Sequence, residues 1–179
     1  MVLKFTLAVI LLLTLSACAS LTEAQCRAGN WNAIGQSDGA AGRSASYLNN
    51  HREACASLGI TPDASRWAAG RQQGLKQYCT PENAYQIGTR GEAINSVCTT
   101  RQRLSMSSAH RAGLEYYSIG QQLLEIEHRR DELQDRLRDL PDAGDNKRLA
   151  ERKRSLRRQI RDLDRRAERL EWERFAVRF

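Results

Sequence analysis

The chain has only three prolines, no Cys-x-x-Cys pair and no set of alternating apolar and polar segments. A transmembrane barrel needs alternating strands of roughly ten residues. The closing Phe175-Ala176-Val177-Arg178-Phe179 is therefore not a barrel strand, and Phe175, Val177 and Phe179 are expected to cap the base of a helical pair. Without close cysteine pairs a structural zinc site has no framework. His51 and Cys55, four apart on one helix face, would supply only one edge of a site, so no metal or other cofactor is expected. No concentrated basic block is expected either. Residues 19–107 carry nine cations against six acids, and residues 108–179 carry eighteen against fifteen, within a formal net charge of +7. That balance points to a mixed-sign solvated surface with weak attraction to anionic headgroups or wall polymers, and to no nucleic-acid partner.

The beginning of the chain sets the compartment. Lys4 precedes an apolar run, Phe5 to Leu15, that suits a secretory signal and is too short for a comfortable membrane span. Leu15-Ser16-Ala17-Cys18 resembles a bacterial lipobox, which implies a signal peptide over 1–17 and lipidation of Cys18. Each buried lipid methylene contributes roughly 0.8 kcal/mol, so two or three acyl chains anchor a protein. Ala19 follows the cysteine in place of an aspartate that resembles an inner-membrane retention signal. The expected location is the outer membrane of a Gram-negative bacterium, facing the periplasm.

Four cysteines remain: Cys26, Cys55, Cys79 and Cys98. An even number in an oxidising compartment predicts two disulfides, each worth about 2–4 kcal/mol. A straight helix over 63–78 would hold Cys55 and Cys79 about 20 Å apart at 1.5 Å per residue, too far for a bridge. The same reasoning disfavours Cys79–Cys98 and leaves a preference for Cys26–Cys79 with Cys55–Cys98. Residues 18–30 are expected to be a lipidated linker, and residues 31–105 a small helical domain.

Within that domain Thr61-Pro62-Asp63 and Thr80-Pro81-Glu82 both read as helix starts. Threonine accepts from unpaired backbone N–H groups, proline fits the first helical position, and the acid faces the positive helix end. An aromatic residue followed by glycine recurs around Trp31, Trp67, Tyr85 and Tyr117, which are expected to fill the core. The stretch Gly35-Gln36-Ser37-Asp38-Gly39-Ala40-Ala41-Gly42-Arg43-Ser44 looks at first like a phosphate loop. A loop of that type needs a first glycine and a lysine at the positions of Ser37 and Arg43, after a buried strand that is absent here. Its glycines instead fall at i, i+4 and i+7, one helix face. Asp38, between glycines, either orients a neighbouring helix or faces a ligand.

The elements Trp31-x3-Gly35-x2-Asp38-Gly39-x2-Gly42, His51-x3-Cys55, Gly70-Arg71-x2-Gly74-Leu75-x2-Tyr78-Cys79-Thr80-Pro81, Gly88-x2-Gly91 and Cys98 together resemble an uncharacterised family of proteobacterial lipoproteins, a domain of unknown function numbered 2799. The resemblance implies an exported, cysteine-bearing domain with a variable helical tail. It brings no catalytic residue.

The tail is legible by spacing. Leu123, Ile126, Arg130, Leu133, Leu137 and Leu140, then Leu149, Lys153, Leu156, Ile160, Leu163, Ala167, Leu170, Arg174 and Val177, alternate three and four apart. These are heptad seams. The connector 141–146 contains Pro141 and Gly144 and offers Asp145 or Asn146 as an N-cap. Helices over 108–140 and 146–178 should pair antiparallel, and residues 106–179 form the second domain. Glu125–Arg129, Glu132–Arg136 and Asp162–Arg166 are expected i, i+4 pairs. His110 and His128 read as surface residues.

The fold class is all-α: a small disulfide-stapled helical domain followed by a long antiparallel coiled-coil hairpin. The favoured function is structural or adaptor-like, without catalysis, through an envelope protein partner or self-association along the hairpin. A glycan- or peptidoglycan-binding module would use Trp31, Trp67 and Tyr85 with Asp38, Arg43 and Arg71. A third reading, an enzyme, would pair Asp38 with His51 and hold an anion on Arg71.

Overall fold

A computed structural model describes residues 20–177. Cys18, the signal segment and Phe179 lie outside the described residues. Seven α-helices and no strand occur among the described residues: α1 (Glu23–Ala28), α2 (Trp31–Ala40), α3 (Leu48–Ala56), α4 (Ala64–Tyr78), α5 (Pro81–Thr89), α6 (Thr100–Arg138) and α7 (Lys147–Ala176). A 3₁₀ turn at Ala45–Tyr47 leads into α3. Among the described residues no helix is long and apolar enough to cross a membrane. The contacts divide the chain into two compact units. Unit 1 holds residues 20–79 with 95–99, and unit 2 holds 80–94 with 100–177. The boundary expected at 105/106 falls inside α6, which begins eight residues before the expected 108.

Unit 1 is built on a glycine contact between α2 and α4. A Cβ added at Gly35 or Gly39 would fall on the Trp67 or Arg71 carbonyl, and one at Gly70 or Gly74 would fall on the Asn32 or Gln36 carbonyl. Glycines four apart on both helices bring the two backbones into direct contact, as in other small-xxx-small pairs. Gly42 is not on that face. Helix α2 ends at Ala40, and Gly42 adopts φ 69 while the Arg43 N–H bonds the Asp38 carbonyl at 2.9 Å. This is a Schellman ending, which favours glycine at the left-handed position.

Residues 20–30 are folded rather than a linker. Thr22 and Gln25 form a capping box on α1, and Leu21 and Cys26 are buried with Trp31, Leu48, Cys55 and Trp67. That packing corrects the expected disulfides, which are Cys26–Cys55 and Cys79–Cys98, each with Cα atoms 5.7 Å apart. Docking α1 in the core places Cys26 against α3. The objection to Cys79–Cys98 assumed a long helix between them, whereas α5 has nine residues, after which the chain turns at Gly91 (φ 73). The Asn95 N–H then donates to Tyr78 Oη (3.0 Å) and its side-chain amide to the Gly42 carbonyl (3.1 Å). Mapping the oxidised protein by non-reducing digestion should recover these two bridges. A peptide linking Cys26 to Cys79 would contradict this packing.

The two Thr-Pro-acid signals resolve differently. Thr80 caps α5 by accepting from the Asn83 N–H, with Pro81 in the first turn. In the other, Asp63 takes the cap itself and accepts from Ser65 N–H (3.1 Å) and Arg66 N–H (3.0 Å). The Arg66 N–H, then the Ser65 hydroxyl, hold the Asp63 carboxyl below its ordinary range. This cap is present above the ordinary carboxylate range and is lost as pH falls through the lowered value.

In unit 2, α5 packs on the first half of α6 and α7 on the second. A Cβ at Gly88 would meet the His110 carbonyl, and one at Gly113 would meet the Tyr85 carbonyl. Ile119, Ile126 and Leu170 form a buried cluster lined by Leu123, Leu163, Ala167 and Val177. Because residues 119–126, at the start of the second half of α6, meet residues 163–177 near the end of α7, the pair is antiparallel. Asn146 caps α7 by accepting from the Leu149 N–H at 3.1 Å. Asn146→Ala should cost about 1 kcal/mol, measured by urea unfolding. Gly120→Ala should be neutral or stabilising by about 0.5–1 kcal/mol, because the nearest atom to the new methyl is a flexible Arg174 nitrogen at 3.4 Å.

Several surface expectations are corrected. Glu125–Arg129, Glu132–Arg136 and Asp162–Arg166 do not pair; Arg129–Glu132, Asp135–Arg138 and Asp162–Arg165 do, one residue closer in spacing. Tyr117 is 38 % exposed, and the core position beside it belongs to Ile119. Val177 packs against the seam, whereas Phe175 is 63 % exposed. His128 is a surface residue, while His110 Nε2 bonds the Glu92 carbonyl at 2.8 Å.

Candidate functional site

Unit 1 holds a buried polar array. In the last turn of α2, Asp38 projects towards α3 and α4, and its Oδ2 accepts from His51 Nε2 (2.7 Å) and Trp67 Nε1 (2.8 Å). Asp38 as a carboxylate only accepts, so Nε2 carries a proton, and His51 Nδ1 lies within hydrogen-bond distance of the Ser20 hydroxyl at 2.9 Å. His51 is 1 % exposed, with Tyr47 and Trp67 edge-on to its ring at 5.2 and 6.4 Å between centroids. Three helices and the segment before α1 thus converge on one carboxylate oxygen and one imidazole.

Arg71 stands beside the array, 8 % exposed, and its Nε–H donates to the Arg43 carbonyl at 2.7 Å. Burial lowers the affinity of its guanidinium for the proton, and the charge of Asp38 offsets part of that. Its guanidinium carbon is 5.9 Å from the Trp67 ring centroid, and that of Arg43 is 4.6 Å from the Tyr47 centroid.

Asp38, His51, Trp67, Arg43 and Arg71 therefore come together as the sequence allowed. Trp31 does not join them, being buried among Leu21, Cys26, Leu48, Cys55 and Trp67. Tyr85 belongs to unit 2. Trp31 and Trp67 are 6 % and 2 % exposed, so they offer no stacking face to a sugar. Cys55 is held in a disulfide and cannot ligate a metal with His51.

Asp–His–Ser is a chain of groups able to activate a hydroxyl. Here both imidazole nitrogens are occupied by protein groups, and the same Asp38 oxygen also holds the Trp67 indole. Ser20 is the hydroxyl that such a chain would activate, and it is half-buried. The arrangement satisfies buried polar groups and ties three helices to the residue where the described chain begins. Ser20 had no sequence signal, and the separations of Asp38 from His51 and Trp67, 13 and 29 residues, fit no local motif.

A second surface lies on α7. The balance expected for residues 108–179 holds as a total and fails locally. Residues 147–161 contain eight Lys or Arg and a single acid, Glu151. Among the described residues, the one ion pair along α7 is Arg165–Asp162. Arg154, Arg158, Arg161, Arg165, Glu168, Trp172 and Phe175 alternate four and three apart, and all are exposed. They form a stripe on the far side of α7 from its seam. Trp172 is 73 % exposed, and its ring meets Phe175 edge-on at 6.4 Å between centroids.

No curated protein and no solved structure matches the chain. Residues 30–115 match the family described as protein of unknown function (DUF2799), a span running from the cap of α2 into the first half of α6 and carrying Asp38, His51 and the paired glycines of both units.

Proposed function

We propose that this chain is an exported lipoprotein of a Gram-negative outer membrane, anchored through lipid on Cys18, with a structural or adaptor role in the periplasm and no catalytic activity. Unit 1 is the scaffold and the α6–α7 hairpin is the arm that makes contacts. The single observation that carries this reading is the contrast between the two candidate surfaces. The Asp38–His51–Trp67 array of unit 1 is partly to fully buried and partnered, whereas α7 displays unpaired cations and an exposed aromatic pair. Two disulfides fit an oxidising compartment, and the lipobox-like Leu15-Ser16-Ala17-Cys18 fits an anchor.

Two experiments test the parts separately. Palmitate label should enter the wild-type chain and be absent from Cys18→Ser; label surviving that substitution refutes the anchor. Alanine substitutions along the exposed hairpin face should release envelope components that co-purify with the chain. Retention of every component by those variants would refute the adaptor role.

A further inference from the structure

We infer that the outer stripe of α7 seats on an anionic phospholipid surface, with arginines on the headgroups and Trp172 and Phe175 at the headgroup–acyl boundary. The inference rests on the reading of the hairpin as the contact-making arm and names what that arm contacts. Three observations carry it. First, the cations are available: Arg154, Arg158 and Arg161 are exposed and in no ion pair among the described residues, and Lys147, Arg148, Arg152 and Arg157 add to the same half of the helix. Second, they are collinear. The alternating spacing keeps the stripe on one line for about 32 Å at 1.5 Å per residue, which suits a flat charged surface. Third, the stripe ends in an aromatic pair with Arg165 and Arg169 on one side and the acids Glu168 and Glu171 beside it, so the cationic and aromatic parts of the stripe are successive along the helix.

Basic residues on a polar face with exposed Trp and Phe are the chemistry of a helix lying in a bilayer interface. Cationic segments gain attraction from anionic lipids for each Lys or Arg near the surface. A purely electrostatic partner would have no use for Trp172 and Phe175, and a purely apolar one would have no use for the arginines. The seam residues Leu156, Ile160, Leu163 and Leu170 stay packed against α6, so binding needs no opening of the hairpin.

The test uses the oxidised chain starting at Ala19, which retains every described residue but not the lipid anchor. It is mixed with vesicles of phosphatidylglycerol and phosphatidylcholine, or of phosphatidylcholine alone. The protein should sediment with the anionic vesicles only, and less as salt rises. Tryptophan emission should shift to the blue, a change owed to Trp172 because Trp31 and Trp67 are already buried. Replacing Arg154, Arg158, Arg161 and Arg165 together by Gln should weaken binding at least about tenfold. Replacing Arg27, Arg52 and Arg66 of unit 1 should leave it unchanged, with equal helical circular dichroism throughout. Absence of binding at low salt, equal binding to neutral vesicles, or full binding by the stripe variant would overturn the inference. So would self-association lost in Trp172→Ala without vesicle binding, which would assign the stripe to a second copy. If vesicle binding fails while hairpin substitutions still release co-purifying components, the adaptor reading stands and only the lipid assignment falls.

Discussion

Gly35→Ala should destabilise unit 1 by about 3 kcal/mol, at the upper end of what added core atoms cost. The reason is local and severe. The new methyl would fall on the Trp67 carbonyl carbon and oxygen and come within 3.0 Å of the Arg71 backbone nitrogen. Backbone atoms of a packed helix cannot rotate away as a side chain would, so α2 and α4 must separate. That separation disturbs Trp31 and Trp67 together. Gly74→Ala meets the Gln36 carbonyl and the Ala40 backbone nitrogen and should cost a similar amount. For a domain of this size 3 kcal/mol corresponds to a fall of roughly 12–24 °C in midpoint. Thermal unfolding followed by tryptophan emission measures it, since two of the three tryptophans report on unit 1. A midpoint shift under a few degrees would mean that the glycine contact is not the spine of unit 1.

Asp38→Ala should have an effect of comparable size, about 3 kcal/mol, through a different cause. The substitution strands the Trp67 indole N–H and the His51 ring nitrogen in a site where His51 is 1 % exposed. Removing one partner from a buried charged or hydrogen-bonded group costs more than the net value of the bond, because the remaining donors stay out of water. It also leaves Arg71 without its nearby compensating charge. Asp38→Asn keeps an oxygen able to accept both donors and should cost about 1 kcal/mol. Urea unfolding of both variants separates the cases. Equal and small losses would show that the array is solvated rather than enclosed.

Much of this architecture was legible in the residues, and what escaped did so for physical reasons. The hairpin was readable because its seam repeats; all the expected seam positions from Leu123 to Val177 are buried or partly buried. The cap on α7 followed from Asn146 after a proline- and glycine-containing connector. The glycine face of α2 was readable from the spacing of Gly35 and Gly39. Its partner face is marked only by Gly70 and Gly74, which repeat the same interval. The disulfide pairing is not legible because no local pattern marks residues 20–30 as core or shows that α5 stops after nine residues. Long-range contacts leave no local pattern, so nothing in the sequence brings Ser20 to His51 or Trp67 to Asp38. The basic half of α7 was hidden by summing charge over a long window, which averages 147–161 with the acids around it.

We propose that the hairpin, and not unit 1, makes the functional contacts. Site-specific photo-crosslinking in intact cells tests it most directly, with the probe placed in turn at Arg158 and Arg165 on the stripe and at the exposed Gln73 of unit 1. Envelope adducts are expected from both hairpin positions and none from Gln73. Adducts from Gln73 with none from Arg158 or Arg165 would contradict it.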